Sequence, residues 1–165
     1  MTPEASETQM LRNTLDRQRQ HVLGILDGLS EDQLTQPVLP SGWSCLGLVN
    51  HLALDVEHYW FRCILGGEPL DFFAEAHARG GWEVGSIGSA GDVLDLYRAE
   101  IERANAVLSV TNLETAPRQR DDWWGDWDVP NARFVILHVI AETACHAGHL
   151  DATRELLDGR QWVVL

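Results

Sequence analysis

The sequence predicts an all-α protein, a four-helix bundle with long second and third connections. Three observations predict it. Apolar residues recur at helical spacing in four separate segments, and glycine and proline punctuate the gaps between them. No stretch combines strand alternation with hairpin turn chemistry. At 165 residues, the chain is long enough for one domain, 1–165, with a core of its own. No internal repeat, heptad array or low-complexity tract divides it.

The first helix is expected over 5–27, where Met10, Leu11, Leu15, Val22, Leu23, Ile25 and Leu26 form the apolar stripe before Gly28. Ser30 and Gln33 read as a capping box that opens a short extra turn before Pro37 and Pro40. The second helix is expected over 44–65, stopped by Gly66 and Gly67. Residues 68–88 read as a glycine-rich loop with a short helix around Phe72–Ala78. Ser89, with Asp92 three positions on, starts a third helix over 89–110. A second long loop, 111–129, holds Trp123, Trp124 and Trp127. The fourth helix, 131–158, has Pro130 at its start and Gly159 as its C-cap. Trp162–Leu165 reads as a short extended tail.

Composition narrows the function classes. The formal net charge is −13 and all 12 basic residues are arginine. That balance argues against nucleic acid and anionic membranes, which need a basic patch, and the absence of lysine rules out Schiff-base chemistry on a lysine. It also points to a GC-rich genome. No apolar run is long enough to span a bilayer, and residues 1–10 lack the basic start and apolar centre of a signal peptide. A cytoplasmic location is the expectation. Cys45, Cys63 and Cys145 make an odd, widely spaced set, read as reduced and mostly buried thiols rather than a disulfide framework.

Chemistry concentrates in the last helix. His138, Glu142, His146 and His149 are spaced 4, 4 and 3 residues apart, within an arc of roughly 80°. The surrounding residues are apolar, so the stripe is expected to face protein rather than water. A buried carboxylate needs a cation or hydrogen bonds to compensate it. Neighbours four apart, with a rise of about 6 Å, can share an ion, whereas His138 and His146, about 12 Å apart, cannot. The workable pairs are His138/Glu142, Glu142/His146 and His146/His149, and spacing does not choose between them. A buried network without metal is the alternative. On the second helix His51, Asp55 and His58 share one side, opposite an apolar face of Leu46, Val49, Leu52, Val56, Trp60 and Ile64. Pattern alone favours a solvated stripe there slightly over a ligand.

Trp123, Trp124 and Trp127 interleave with Asp121, Asp122, Asp126 and Asp128 just ahead of the last helix. They read equally as an aromatic wall over a substrate pocket and as a plug for the bundle end. Trp43 reads as core.

Two stretches, SGWSCLGLVNHLALDVEHYWF (41–61) and FVILHVIAETACHAGHLDATRELLDG (134–159), resemble the DinB-like metal-binding four-helix family. The likeness is to the branch related to the N-terminal domain of mycothiol-dependent maleylpyruvate isomerase, and it covers essentially the whole chain. It implies one ligand histidine midway along the second helix, His51, and a pair four apart on the last helix, Glu142 and His146. Many relatives have histidine at both positions of that pair; Glu-x-x-x-His is the isomerase-like version. The isomerase has a second, C-terminal domain that is not expected here, so its reaction is not expected to carry over with the fold.

Two imidazoles and a carboxylate suit zinc best, with nickel, iron or manganese also accommodated, and three protein ligands leave positions open. Asp55 then either fixes the tautomer of His51 or is exposed. His138 and His149 become pocket groups, with His149, His138 and Asp55 as catalytic candidates. The reading that follows is a divalent-metal-dependent thiol S-transferase or isomerase. Its metal activates a small-molecule thiol, with mycothiol implied by the resemblance and the GC-rich composition. An electrophilic substrate is expected under Trp123, Trp124 and Trp127. The alternatives are a metal-containing binding or stress-response protein without turnover, and a metal-assisted hydrolase. A homodimer is expected by analogy with relatives.

Overall fold

The computed structural model describes residues 3–70 and 89–162. Five helices follow in order: α1 (Pro3–Ile25), α2 (Glu31–Thr35), α3 (Cys45–His51, running on as Leu52–Leu65), α4 (Ala90–Val110) and α5 (Ala132–Asp158). The described residues contain no strand, and the protein is an all-α bundle. The helix expected around Phe72–Ala78, and residues 163–165 of the expected tail, lie outside the described residues.

Side-chain caps set the starts. Ser30 and Gln33 form the expected capping box on α2, and Ser89 and Asp92 form another on α4. Ser44 Oγ accepts from the Gly47 N–H at 3.1 Å at the head of α3. Asn131 Oδ1 accepts from the Phe134 N–H at 3.1 Å at the head of α5. Each such cap contributes about 1 kcal/mol by satisfying a donor that the helix itself cannot. Pro130 therefore stands just outside α5 rather than in its first turn. Gly28 and Gly159 turn the chain after α1 and α5 with φ of 76° and 77°, values that a Cβ penalises.

The four long helices pack α3 along α4 and α1 along α5, with α5 also against α3. Leu15, Val22, Leu46, Val49, Phe61, Val93, Tyr97, Val135, Val139 and Leu150 are among the fully buried side chains of this core. Each contributes on the order of 1.5–3 kcal/mol over the exposed state.

The second helix departs from the sequence expectation. Beyond His51 its backbone widens from α to π geometry over Leu52–Leu65, ending with the Gly66 N–H bonded five residues back to the Phe61 carbonyl at 2.9 Å. In that stretch every residue except Asp55 and Arg62 is buried. There is no solvated stripe opposite the apolar face, because α3 is central and both of its sides are covered. Its polar groups are paired with neighbouring helices instead. Glu57 receives two hydrogen bonds from Arg19 of α1, at 2.7 and 2.6 Å. His58 and Arg62 meet Glu100 of α4, with Arg62 donating at 2.9 and 2.7 Å.

α5 departs in the opposite sense. Its outward face, Leu137, Ala141, Cys145 and Gly148, is exposed although it carries no charge. Cys45 and Cys63 are buried, and Cys145 is exposed.

Candidate functional site

Three side chains from two helices converge at the α3–α5 contact. His51 comes from the last α turn of α3, and Glu142 and His146 from successive turns of α5. Their ligand-type atoms all lie within 4.8 Å of one another. Glu142 Oε1 is 3.1 Å from His146 Nε2 and 3.7 Å from His51 Nε2. Two donors bound to one zinc at 2.0–2.1 Å in tetrahedral geometry stand ~3.4 Å apart, so this spacing fits a first-row divalent ion with little movement. The donor set of two imidazole nitrogens and one carboxylate oxygen fits the same class. Among the described residues no other three His, Cys, Asp or Glu side chains gather their ligand atoms this closely.

Each imidazole has a partner at its other nitrogen. Asp55 Oδ2 is 2.7 Å from Nδ1 of His51. His149 Nδ1 is 3.4 Å from Nδ1 of His146, and the His149 ring lies against Trp43, centroids 5.8 Å apart. Trp43 is half-buried rather than wholly core. Asp55 is mostly buried, with its side chain 9% exposed. The π widening of α3 starts at Leu52, between His51 and Asp55, and such widenings concentrate at functional sites.

The electrostatics follow from these contacts. The hydrogen bond from His146, and then the His51 imidazole 3.7 Å away, hold the Glu142 carboxyl below its ordinary range. Burial alone would lower the pKa of His51, but its hydrogen bond to Asp55 and the nearby Glu142 carboxylate outweigh this and raise it. His138 is lowered by burial, against the opposing pull of Glu142 one turn away.

The stripe on α5 is thus split rather than uniformly buried. Glu142, at 37% side-chain exposure, and exposed His149 lie on its open side, while His146 at 13% faces inward. The reason is the uncovered face of α5, which the apolar sequence did not reveal.

His138 is apart from the triad and belongs to an aromatic cluster. Its ring meets Trp60 at 4.6 Å and Trp127 at 5.2 Å. Trp124 is buried and stacks on Trp60 at 5.5 Å, and Trp127 also meets Phe134. Trp124 is thus buried at the bundle end, while Trp127 and Trp60 pack against His138.

Sequence reasoning missed the anchor of this loop, Tyr59. Its hydroxyl accepts from Nε1–H of Trp124 at 2.8 Å and of Trp123 at 3.0 Å, and donates to Asp121 Oδ2 at 3.2 Å. Burial first, and the Asp121 charge after it, push the phenol above its ordinary range, so it stays protonated. A signal existed in the residue types: a buried phenol and two indoles all require polar partners.

Among the described residues no helix is long and apolar enough to cross a membrane. A search of curated proteins finds no match. The family described as Mycothiol-S-transferase matches residues 10–159. Because the match spans nearly the whole sequence and includes both helices of the triad, the chain belongs to the mycothiol S-transferase family.

Proposed function

We propose that this protein is a divalent-metal-dependent transferase that joins a small-molecule thiol, mycothiol in the first instance, to an electrophile. The observation that carries the reading is the convergence of His51, Glu142 and His146 within 4.8 Å in a chain of this family. An ion held there, zinc by preference, would lower the pKa of a thiol in an open position and present it as thiolate near neutral pH.

The protein side of the work falls to named residues. Asp55 accepts the Nδ1 proton of His51 and so leaves Nε2 with its lone pair towards the triad. His149 steadies His146 in the same way from the opposite end. His138, with Trp60 and Trp127 around it, lies one turn from Glu142 where an electrophile would approach, and its lowered pKa keeps the ring neutral and able to accept a proton. Trp124 and Trp127 limit water at that end of the site.

We also propose self-association. In a chain of net charge −13, most surfaces repel a second copy. The uncharged outward face of α5 at Leu137, Ala141, Cys145 and Gly148 does not, and an added Cβ at Gly148 would meet nothing within 4 Å. Light scattering at high micromolar concentration should report a dimer; a monomer would end this part of the reading.

Elemental analysis of the purified protein, followed by mass detection of thiol conjugates across a panel of electrophiles, tests the function. Bound metal with thiol-dependent loss of electrophile is the expected result. Metal without turnover on thiols or esters would point to a binding protein, and ester cleavage without a thiol to a hydrolase.

A further inference from the structure

Within the tryptophan loop, Trp123 does something its neighbours do not. Trp124 is 5% exposed, whereas Trp123 is 58% exposed. A ring of that size is seldom left in water without a partner. It is also not loosely held. Its Nε1–H donates to the Tyr59 hydroxyl at 3.0 Å, and its backbone N–H reaches Asp121 Oδ1 at 3.4 Å. Tyr59 is itself buried and bound to Trp124 and Asp121. The nitrogen-bearing edge is therefore turned inward and apolar ring surface is presented outward. Arg120 staples the loop from below, its guanidinium donating to the Gly125 and Trp127 carbonyls and lying over Trp124, 5.6 Å from the ring centroid. The adjoining Asp122 and Asp126 are exposed.

A rigid, flat apolar surface beside carboxylate acceptors matches a polyol ring. The C–H face of such a ring stacks on the indole, and its hydroxyls donate to the carboxylates. The acidic surround disfavours an anion. We propose that Trp123, positioned by Tyr59, is the platform for the hydroxylated, non-reacting part of the thiol cosubstrate. This deepens the thiol-transfer reading and rests on it.

The reach is adequate. Mycothiol is a cysteine joined through an amide to two linked polyol rings, which puts the second ring on the order of 10 Å from the sulfur. Trp123 and Trp127 have centroids 6.0 Å apart, and Trp127 and His138 5.2 Å apart. Glu142 lies one turn beyond His138, about 6 Å along α5. Tyr59, which holds Trp123, follows His51 by eight residues on α3, about 12 Å along the helix, so a thiol with its sulfur at the triad brings its second ring to the loop. Binding energy collected at such a remote part orients the reacting end.

Calorimetric titration of the full-length protein with the sulfur-free pseudodisaccharide, glucosaminyl-inositol, tests the platform without any turnover. Saturable binding is expected, unchanged in His146→Ala and weakened at least about tenfold in Trp123→Ala. Trp123→Phe should restore part of it, and Tyr59→Phe should cost several-fold while leaving the fold intact by circular dichroism. In conjugation assays Trp123→Ala should raise KM for mycothiol and leave that for N-acetylcysteine unchanged. Equal affinity in Trp123→Ala, no binding of the pseudodisaccharide, or tighter binding of tetramethylammonium than of the polyol would overturn the platform. Conjugation that proceeds equally well with mycothiol and N-acetylcysteine would reject it while leaving thiol transfer standing. Polyol binding without conjugation of any thiol would do the reverse.

Discussion

Asp55 Oδ2 stands 2.7 Å from Nδ1 of His51, one turn along the same helix, and the opposite nitrogen of that imidazole faces Glu142. One contact therefore decides which lone pair His51 can offer. Without Asp55 the ring is free to rotate or to take the other tautomer, and a ligand that must first be oriented binds more weakly.

Asp55→Ala is accordingly expected to lower zinc affinity by about 10–100-fold, measured by competition with a chromogenic chelator. His146→Ala should remove most bound metal. His21→Ala should not, because His21 is occupied with Asp151 at 2.8 Å on a different part of α5. Full metal content in His146→Ala would sink the triad.

A second prediction concerns stability. Arg19 joins α1 to α3 through Glu57, whose side chain is 0% exposed. Burial works against the Arg19 charge, but the Glu57 carboxylate outweighs it and keeps the guanidinium ionised. Arg19→Ala leaves that carboxylate buried without its cation and should cost ~3–5 kcal/mol, whereas replacing both by apolar residues of similar size should recover most of the loss. Urea denaturation midpoints of the two variants would decide it; equal losses would mean that the pair contributes through packing alone.

Acid stability follows from Glu100. Burial alone would raise its pKa, but hydrogen bonds from His58 and Arg62 more than offset this and hold it down to about 2, against 4.5 for an unperturbed glutamate. The folded value is the depressed one, so the stabilisation is fully present above pH ~4.5 and is lost as pH falls towards 2. The shift corresponds to on the order of 3 kcal/mol. Unfolding free energy followed from pH 6 to 2.5 should drop across that window, and Glu100→Gln should flatten the drop. An identical slope in the variant would assign it to other carboxylates.

The bundle was legible because its signals are local. Ser30 with Gln33, Ser89 with Asp92, and Gly159 act within one turn, and each marks a helix end found in the structure. The positions of Glu142 and His146 on one helix face were legible for the same reason. His51 was not, because its burial depends on α3 being covered on both sides and widened after Leu52, which are properties of the packing rather than of a 3.6-residue pattern. Only the family resemblance picked it out. The exposure of Leu137 and Cys145 was hidden by the converse: an apolar face that nothing described in the chain covers. Tyr59 was passed over because its three partners lie more than 60 residues away in sequence.

The last prediction concerns the order in which acid undoes the site. A free thiol has a pKa of about 8.5 and must lose its proton to coordinate. Below that pH each unit should therefore weaken thiol binding by up to about tenfold. The metal is lost by a different route, when protons compete for the ligand imidazoles. In the metal-free protein His51 is raised above its ordinary 6.5 by Asp55 and Glu142 against its burial. Its proton is thus retained below the raised value and given up above it, and metal binding must displace that proton on the acid side. Between about pH 8.5 and the onset of His51 protonation only the thiol responds. Cobalt-substituted protein titrated with mycothiol should show a sulfur-to-metal charge-transfer band that weakens over this range while metal content, measured in parallel, stays constant. A band that fades only as metal is released would mean that the thiol does not titrate independently. No band with mycothiol, bacillithiol or glutathione would remove direct thiolate coordination from the mechanism, while the bundle and the convergence of His51, Glu142 and His146 would stand.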